Sequence, residues 1–285
     1  MKTIKIGLIG LLILLIACQA IITFRSHGNS DNAPVITFDG DEKQIFCQYT
    51  KEELLEGVSA YDDEDGDLTE KILIGGFSDF TERGVSSLEY AVYDKDGNIA
   101  TINRKVVFSN YVPPKIKLLA PCVFKATNND YDFPSLPSYL EGWDIIDGNI
   151  TKHMLINSTD IKFSEPGKYT AAVYLKNSFG DEVNIELPIH IIDPGISGYS
   201  IEFTEEPLIY TNKGDAVKPE KYIKAIRNEY TNEIIPDNEY ELTINSNVDT
   251  SKDGIYEIHF SASSPDKSLR GETWMTVIVG DYGGR

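Results

Sequence analysis

The chain has 285 residues, with 26 Lys and Arg against 45 Asp and Glu, which gives a formal charge of −19. This length is typical of about two domains or of three small ones, and 41% hydrophobic residues argue against disorder over the whole chain. Three cysteines exclude a dense disulfide scaffold, and the acidic excess argues against nucleic-acid binding, which needs clustered Lys and Arg.

The chain begins with an apolar run at residues 6–24 that no charged residue interrupts. As a helix this run would span roughly 28 Å, close to the ~30 Å hydrocarbon core of a bilayer. Lys2 and Lys5 precede it, which predicts a cytoplasmic N-terminus and an extracellular position for the bulk of the chain. We therefore predict that residues 1–25 are a signal anchor that makes this a single-pass protein of the cell membrane.

Two alternatives stay open for this segment. Leu15-Ile16-Ala17-Cys18 resembles a lipobox, in which Cys18 would carry the lipid, and an ordinary cleaved signal peptide would release the protein. The apolar run continues past Cys18 to Phe24, which favours the anchor over the lipoprotein. The polar residues 26–33 that follow predict a short stalk.

Self-comparison of the sequence indicates repeats with a period slightly above 80 residues. The pattern D-x-x-D-G-[D/N]-[L/I]-T occurs at 62–69 and again at 144–151, an offset of 144 − 62 = 82. Three glycines that precede late strands, Gly84, Gly167 and Gly254, are spaced by 83 and 87 residues. This period predicts three modules, at residues 34–110, 113–194 and 198–282.

The joints between these modules differ in composition. Residues 111–114 contain two prolines, which fix φ and restrict the preceding residue, so we expect a stiff connection. Residues 193–198 contain two glycines and are expected to bend more easily.

Within each module the residue pattern is typical of β structure. Thr50 and Glu53 form a capping-box pattern that predicts a short helix at 50–55, and residues 218–227 indicate a second one. Modules of about 80 residues with many short strands predict small β-sandwiches. The β-rich runs are 35–38, 89–93, 104–108, 168–174, 184–192, 256–260 and 273–279.

The repeated motif, followed by a glycine before a tyrosine-rich strand and a D-x-x-G-N turn, resembles a bacterial immunoglobulin-like domain. Such domains are repeated in surface proteins of Gram-positive bacteria and occur in a pesticidal crystal toxin. The resemblance implies an all-β chain of three tandem immunoglobulin-like sandwiches after the N-terminal helix, in a cell-surface setting. It implies no catalytic activity. The third module diverges, with Asn228 at the position of the first aspartate.

An aspartate cluster in the first module has two interpretations. Its carboxylates could supply hard oxygen ligands for calcium, although an EF-hand would place Tyr61 and Ile72 at its first and last ligand positions. We favour a tight turn in which Asp62 accepts backbone amides and glycine supplies a positive φ, so we predict no metal ligand and no cofactor. The weak calcium candidates are Asp62, Asp63, Asp65, Asp67, Asp94 and Asp96.

Other reactive side chains give weaker signals. His190 and His259 lie in strand patterns, and we interpret both as surface-facing residues rather than metal ligands. Cys47 and Cys122 fall in different modules, which favours two buried free thiols over a disulfide. The tyrosine spacing does not predict one exposed aromatic stripe.

We predict a non-enzymatic, membrane-tethered surface protein that acts as a rod-like spacer or an interaction scaffold. The alternative is an adhesin or a module that binds a glycan, a wall polymer or a protein, for example by strand addition at a sheet edge. A third alternative is an accessory protein of a surface enzyme or toxin. The absence of GxSxG, Walker, GxGxxG and HExxH motifs argues against an enzyme.

Overall fold

A computed structural model describes residues 33–128, 135–158 and 160–280. The predicted anchor at 6–24, Cys18 and nearly all of the stalk lie outside these residues. No helix within the described ranges is long and apolar enough to cross a membrane. The described residues form an all-β structure, as predicted, in which helical segments are five residues long or shorter.

The chain divides into two compact units. The first, called the N-terminal unit, holds the described residues up to Ser78 together with Val85–Phe108. It contains a three-stranded sheet of order β1-β3-β4 and a four-stranded sheet of order β2-β7-β6-β5. Its elements are β1 (Val35–Phe38), β2 (Glu42–Ile45), α1 (Lys51–Leu55), β3 (Val58–Asp62), β4 (Gly66–Asp67), a 3₁₀ helix (Thr69–Lys71), β5 (Leu73–Phe77), β6 (Val85–Tyr93) and β7 (Ile99–Phe108).

Alternation along β6 positions the core of the N-terminal unit. Leu88, Tyr90 and Val92 are fully buried, because side chains two positions apart on a strand face the same side of the sheet. The Tyr90 hydroxyl donates to the Leu54 carbonyl at the end of α1, 2.6 Å away. The helix itself begins at the predicted capping box, where Thr50 Oγ1 and the Glu53 carboxylate each accept a backbone N–H of the other residue.

A buried arginine ties this core to two chain turns. Arg104 on β7 donates to the carbonyl oxygens of Asp39 at 2.8 Å and of Glu56 at 3.2 Å. Its guanidinium lies 5.1 Å from the centre of the Phe38 ring, a distance typical of cation–π contact. The guanidinium thus joins the turn after β1 to the end of α1, where helical carbonyl groups lack partners of their own.

The second unit, called the C-terminal unit, holds Asp79–Gly84 and the described residues from Ser109 onward. Its first pair of sheets has the orders β11-β10-β8 and β12-β13-β14-β9. The elements are β8 (Lys115–Leu118), β9 (Val123–Lys125), a 3₁₀ helix (Leu136–Tyr139), β10 (Leu140–Asp144), β11 (Gly148–Asn149), a 3₁₀ helix (Thr151–His153), β12 (Leu155–Asn157), β13 (Gly167–Lys176) and β14 (Glu182–Ile192).

The second pair of sheets in this unit has the orders β15-β17 and β16-β20-β19-β18. Its elements are β15 (Tyr199–Phe203), β16 (Leu208–Thr211), a 3₁₀ helix (Pro219–Tyr222), β17 (Ile223–Asn228), a 3₁₀ helix (Asp237–Glu239), β18 (Glu241–Ser246), β19 (Gly254–Ser263) and β20 (Arg270–Val279).

The predicted helix at 218–227 is mostly wrong. Only Pro219–Tyr222 forms a 3₁₀ turn, and the chain then enters β17. In β17 Ile226 is buried and pairs with Ile201 of β15, so tertiary burial outweighs the local helical pattern.

The two pairs of sheets in the C-terminal unit share apolar packing. Leu208 and Ile278 join the buried cluster that contains Ile116 and Leu118. The Tyr210 hydroxyl donates to the Ile116 carbonyl at 3.1 Å and accepts its backbone N–H at 3.0 Å. The glycine-containing joint at 193–198 therefore connects two pairs of sheets that pack against each other.

Candidate functional site

The aspartate motif of the N-terminal unit forms a turn at the end of β3. Asp62 Oδ1 accepts the backbone N–H groups of Glu64 and Asp65 at 2.9 and 2.8 Å. Gly66 has φ +75°, a conformation that a residue with Cβ adopts only with strain. Asp67 Oδ1 accepts the Thr69 N–H at 2.9 Å, at the start of the 3₁₀ helix. The turn that we predicted at this motif is confirmed.

Two of the remaining candidates in this cluster, Asp65 and Asp94, also accept hydrogen bonds from the protein. Asp65 accepts the Lys95 backbone N–H at 2.7 Å and lies 3.0 Å from the Lys95 ammonium, and these contacts hold its pKa below the usual range. Burial alone would raise the pKa of Asp94, but hydrogen bonds from Asn98 and the following backbone outweigh it and lower that pKa. Asp63 is exposed. Asp96 lies in the turn between β6 and β7.

The same turn recurs in the C-terminal unit, where it is more deeply buried. Asp144 has no exposed surface, and its Oδ1 accepts the N–H groups of Ile146 and Asp147 at 2.8 and 3.0 Å. Asp147 in turn accepts the backbone N–H and hydroxyl of Ser178 at 2.7 and 2.8 Å. Gly148 takes φ +71°.

A buried polar network continues from this turn. Asn177 donates from Nδ2 to Asp144 Oδ2 at 3.1 Å and to the Tyr111 hydroxyl at 2.9 Å. The Tyr111 hydroxyl donates to Asp181 Oδ2 at 2.7 Å. Burial, and then the bond to Asp181, raises the pKa of Tyr111 well above its usual range. The network supplies two buried carboxylates with neutral donors, and Asp181 Oδ2 also lies 3.7 Å from Arg83 Nε.

Asn228 occupies the equivalent place at the end of β17. Its Oδ1 accepts the N–H groups of Tyr230 and Thr231 at 2.9 and 3.1 Å, and Asn232 takes the positive φ of +62°. Sequence comparison treated this stretch as divergent, but asparagine accepts the same hydrogen bonds as aspartate and tolerates the left-handed region. Asn228 and Asn232 were the residues in the sequence that could have identified a third turn.

The described side chains of these turns do not form a set of metal ligands. Within residues 33–128, 135–158 and 160–280, no group of three or more His, Cys, Asp or Glu side chains could hold a metal ion. The calcium interpretation stays a prediction to be tested in solution.

Histidine placement corrects the sequence interpretation. His190 on β14 is buried, not surface-facing, and its ring stacks on Trp274 of β20 with centroids 3.9 Å apart and planes 6° apart. His259 stacks on Trp274 at 4.2 Å, and we call these three rings the His–Trp–His stack. Strand alternation indicates which side of a sheet a residue faces, but not what packs against that side.

Charged groups surround the His–Trp–His stack. His190 Nε2 lies 2.6 Å from Glu257 Oε1, and the Lys168 ammonium bonds the other oxygen of the same carboxylate. His259 Nε2 lies 3.0 Å from Glu272 Oε2. Burial would raise the pKa of Glu257, but the bonds from His190 and Lys168 outweigh it and lower that pKa. The cluster joins the two pairs of sheets of the C-terminal unit.

Cysteine and tyrosine positions follow the sequence expectations. Cys47 and Cys122 are both buried and are not joined to each other by a disulfide, and burial raises the pKa of Cys122 to about 12. Tyr90 is fully buried whereas Tyr93 is 51% exposed, so these tyrosines lie on opposite faces of β6. An aromatic stripe is therefore excluded on that strand.

Residues 36–107 match the profile of a family described as bacterial surface protein, Ig-like domain. The pesticidal crystal protein Cry22Aa of Bacillus thuringiensis is 28% identical over 160 residues, which are 54% of this chain and 20% of that protein. The chain thus spans about a fifth of the length of this relative.

Among solved structures, the M60 catalytic domain with CBM51 domains of Clostridium perfringens ZmpB is 13% identical, with a TM-score of 0.22 over 87% of this chain and 31% of that chain. Drosophila N-cadherin EC1-3 is 10% identical, with a TM-score of 0.32 over 90% of this chain and 91% of that chain. The resemblance indicated by the repeated aspartate motif is confirmed by this family match, which covers residues 36–107.

Proposed function

We propose that this protein is a non-enzymatic, membrane-tethered cell-surface protein whose three immunoglobulin-like modules act as a spacer or interaction scaffold. The observation that carries the proposal is the threefold recurrence of one structural plan. Asp62, Asp144 and Asn228 each end a strand and close the following turn by accepting two backbone N–H groups. A repeated sandwich of this kind supports a structural role.

The side chains that could do chemistry are engaged in holding the fold. Asp144 and Asp147 accept turn and cross-loop hydrogen bonds, and His190 bonds Glu257 within packed surfaces. A catalytic group needs access to a substrate and a free acid, base or nucleophile. These contacts support a protein without an active site. The support for a membrane anchor is separate and is the uninterrupted apolar run at residues 6–24, which is long enough as a helix to span the hydrocarbon core.

The experiment that tests the tether uses the full chain with a C-terminal epitope, expressed in a Gram-positive host. We expect the protein in the membrane fraction, and we expect protease added to intact cells to remove the epitope. A Cys18→Ala variant should behave identically. If that variant accumulates as an unprocessed precursor while the original chain carries lipid, the lipoprotein alternative is correct. Recovery of both the original chain and the Cys18→Ala variant in the medium would show cleavage and secretion.

One observation favours glycan binding as a second candidate function. Trp143 on β10 is 37% exposed and lies directly opposite Lys115 and Asn149 on the neighbouring strands. Asn149 Nδ2 donates to Glu141 Oε1 at 2.7 Å, which places an amide and a carboxylate beside the indole. An aromatic surface flanked by hydrogen-bonding groups can stack on a sugar ring.

Binding to wall sacculi and to a glycan panel tests this candidate with the full chain in detergent. Trp143→Ala should reduce retention at least tenfold, and Tyr230→Ala, which removes another exposed aromatic side chain, should not. Equal retention of the two variants, or none by the original chain, leaves the spacer function as the better account.

A further inference from the structure

The outer edge of β18 is an open strand edge. β18 pairs with β19 at six consecutive positions, from Glu241 opposite Ser263 to Ser246 opposite Ile258, without a register shift. It ends the sheet of order β16-β20-β19-β18. Five of its six residues are exposed. Such an edge presents a row of backbone N–H and C=O groups that another strand can pair with.

Other edges of the four-stranded sheets carry the usual protections against pairing. β5 has a register shift between Ile74 and Phe77, and β12 is only three residues long. β2 contains Lys43 and β9 contains Lys125, and lysine discourages edge pairing.

β16 is protected in a different way, because its Leu208 packs into the buried cluster of the C-terminal unit. Among these edges in the described part of the chain, β18 alone combines six residues in unbroken register with no lysine and no proline, although its Ile244 packs on the core of its own sheet pair.

The sequence of β18 is compatible with pairing to itself. In an antiparallel pair, directly opposed residues lie on the same face of the sheet. If a two-fold axis passes at Thr243, Thr243 meets its own counterpart, Leu242 meets Ile244 of the second copy, and Glu241 meets Asn245. No carboxylate then faces another across the new strand pair, although the chain carries a charge of −19.

We propose that β18 is a homodimerisation edge, at which two copies of this chain join their four-stranded sheets by antiparallel pairing of residues 241–245. The side chain of Leu242, 37% exposed in one copy, would gain an apolar partner in Ile244 of the other. A pair of six-residue strands forms a small contact, so the dimer is weak in dilute solution. Attachment to one membrane would raise the effective concentration and favour the dimer.

Disulfide cross-linking of the full chain in non-ionic detergent tests this register. Opposed residues of an antiparallel pair have Cα atoms about 4.5–5.5 Å apart, which is within disulfide range. In a Cys18→Ser background, Thr243→Cys should form a covalent dimer at least ten times faster than Thr101→Cys. Thr101 is an exposed threonine in β7, which is a central strand. Equal rates for the two variants would overturn the proposal.

Sedimentation of the full chain in the same detergent gives an independent test. Thr243→Lys should raise the dissociation constant of the dimer at least tenfold, since two ammonium groups would meet at the axis, while Thr101→Lys should leave it unchanged. Circular dichroism establishes that both variants remain folded. A chain that is monomeric at every concentration refutes the proposal. So does cross-linking of the Thr243→Cys variant only to a protein of different mass, which would identify a foreign strand as the occupant.

Discussion

Glu257 should be the most sensitive single side chain at the junction within the C-terminal unit. Its carboxylate is buried and bonds His190 at 2.6 Å as well as the Lys168 ammonium. A charge-assisted hydrogen bond between buried groups contributes about 1.5–3 kcal/mol, and the half-exposed Lys168 adds about 0–1 kcal/mol because solvent screens it. We therefore expect Glu257→Ala to lower the free energy of unfolding by about 1.5–4 kcal/mol.

Urea denaturation of the full chain in detergent measures this change. The matched control is Glu241→Ala, an exposed glutamate on the neighbouring strand β18, for which we expect a change within about 0.5 kcal/mol. A double-mutant cycle with His190→Ala isolates the pair and should give a coupling of about 1.5–3 kcal/mol. A coupling below about 0.5 kcal/mol would show that the two groups do not stabilise each other and would refute the reasoning.

The pH dependence of the same contact has a defined sign. Because the pKa of folded Glu257 is lowered from its usual value near 4.5, the folded state binds its proton less readily than the unfolded state does. Its stabilising contribution is complete above that usual value and is lost as the pH falls through the folded-state pKa. In Glu257→Gln this acid-dependent loss should be smaller, which denaturation at several pH values can measure.

The other predictions concern the repeated turn and the shared core. Asp144→Ala should lower the free energy of unfolding by about 1–3 kcal/mol, because it removes a buried carboxylate that accepts two backbone N–H groups. Gly148→Ala, at φ +71°, should lower the free energy of unfolding by about 1 kcal/mol or more. Gly76→Ala is the control and should lower it less, because φ is not positive there and an added Cβ meets no atom within 4 Å. Denaturant midpoints measure both changes. Tyr210→Phe removes two hydrogen bonds to Ile116 and should lower the melting temperature. Calcium should leave the melting temperature unchanged; an increase that EDTA reverses would show that the carboxylates bind the ion.

Local features of this fold could be predicted from the sequence because their hydrogen bonds connect residues close in the chain. The capping box at Thr50 and the turn at Asp62 need partners only two or three residues away, so the residue types alone specify them. Burial of His190 could not be predicted, since its partner Glu257 lies 67 residues later.

Strand β17 shows that tertiary contacts can override a local sequence pattern. Lys218–Arg227 has a helical pattern locally, but pairing of Ile226 with Ile201 and its burial decide the outcome. The role of the buried Arg104 could not be predicted from the sequence either, because it bonds carbonyl groups of residues 48 and 65 positions away. Of the three repeated turns, the one at Asn228 was not predicted, because the sequence pattern used aspartate as the marker instead of any side chain able to accept two amides.

The hydroxyl of Tyr210 bonds the backbone of Ile116 across 94 residues of chain, and this separation sets an order of events during synthesis. At about 5–20 residues per second, strand β8 would leave the ribosome roughly 5–20 s before the tyrosine that caps it. During that interval the growing chain exposes the apolar surface that Leu208 and Ile278 later cover. The C-terminal unit therefore completes its apolar packing only after Ile278 has been made, and truncation before residue 208 would leave a chain prone to capture by chaperones or proteases.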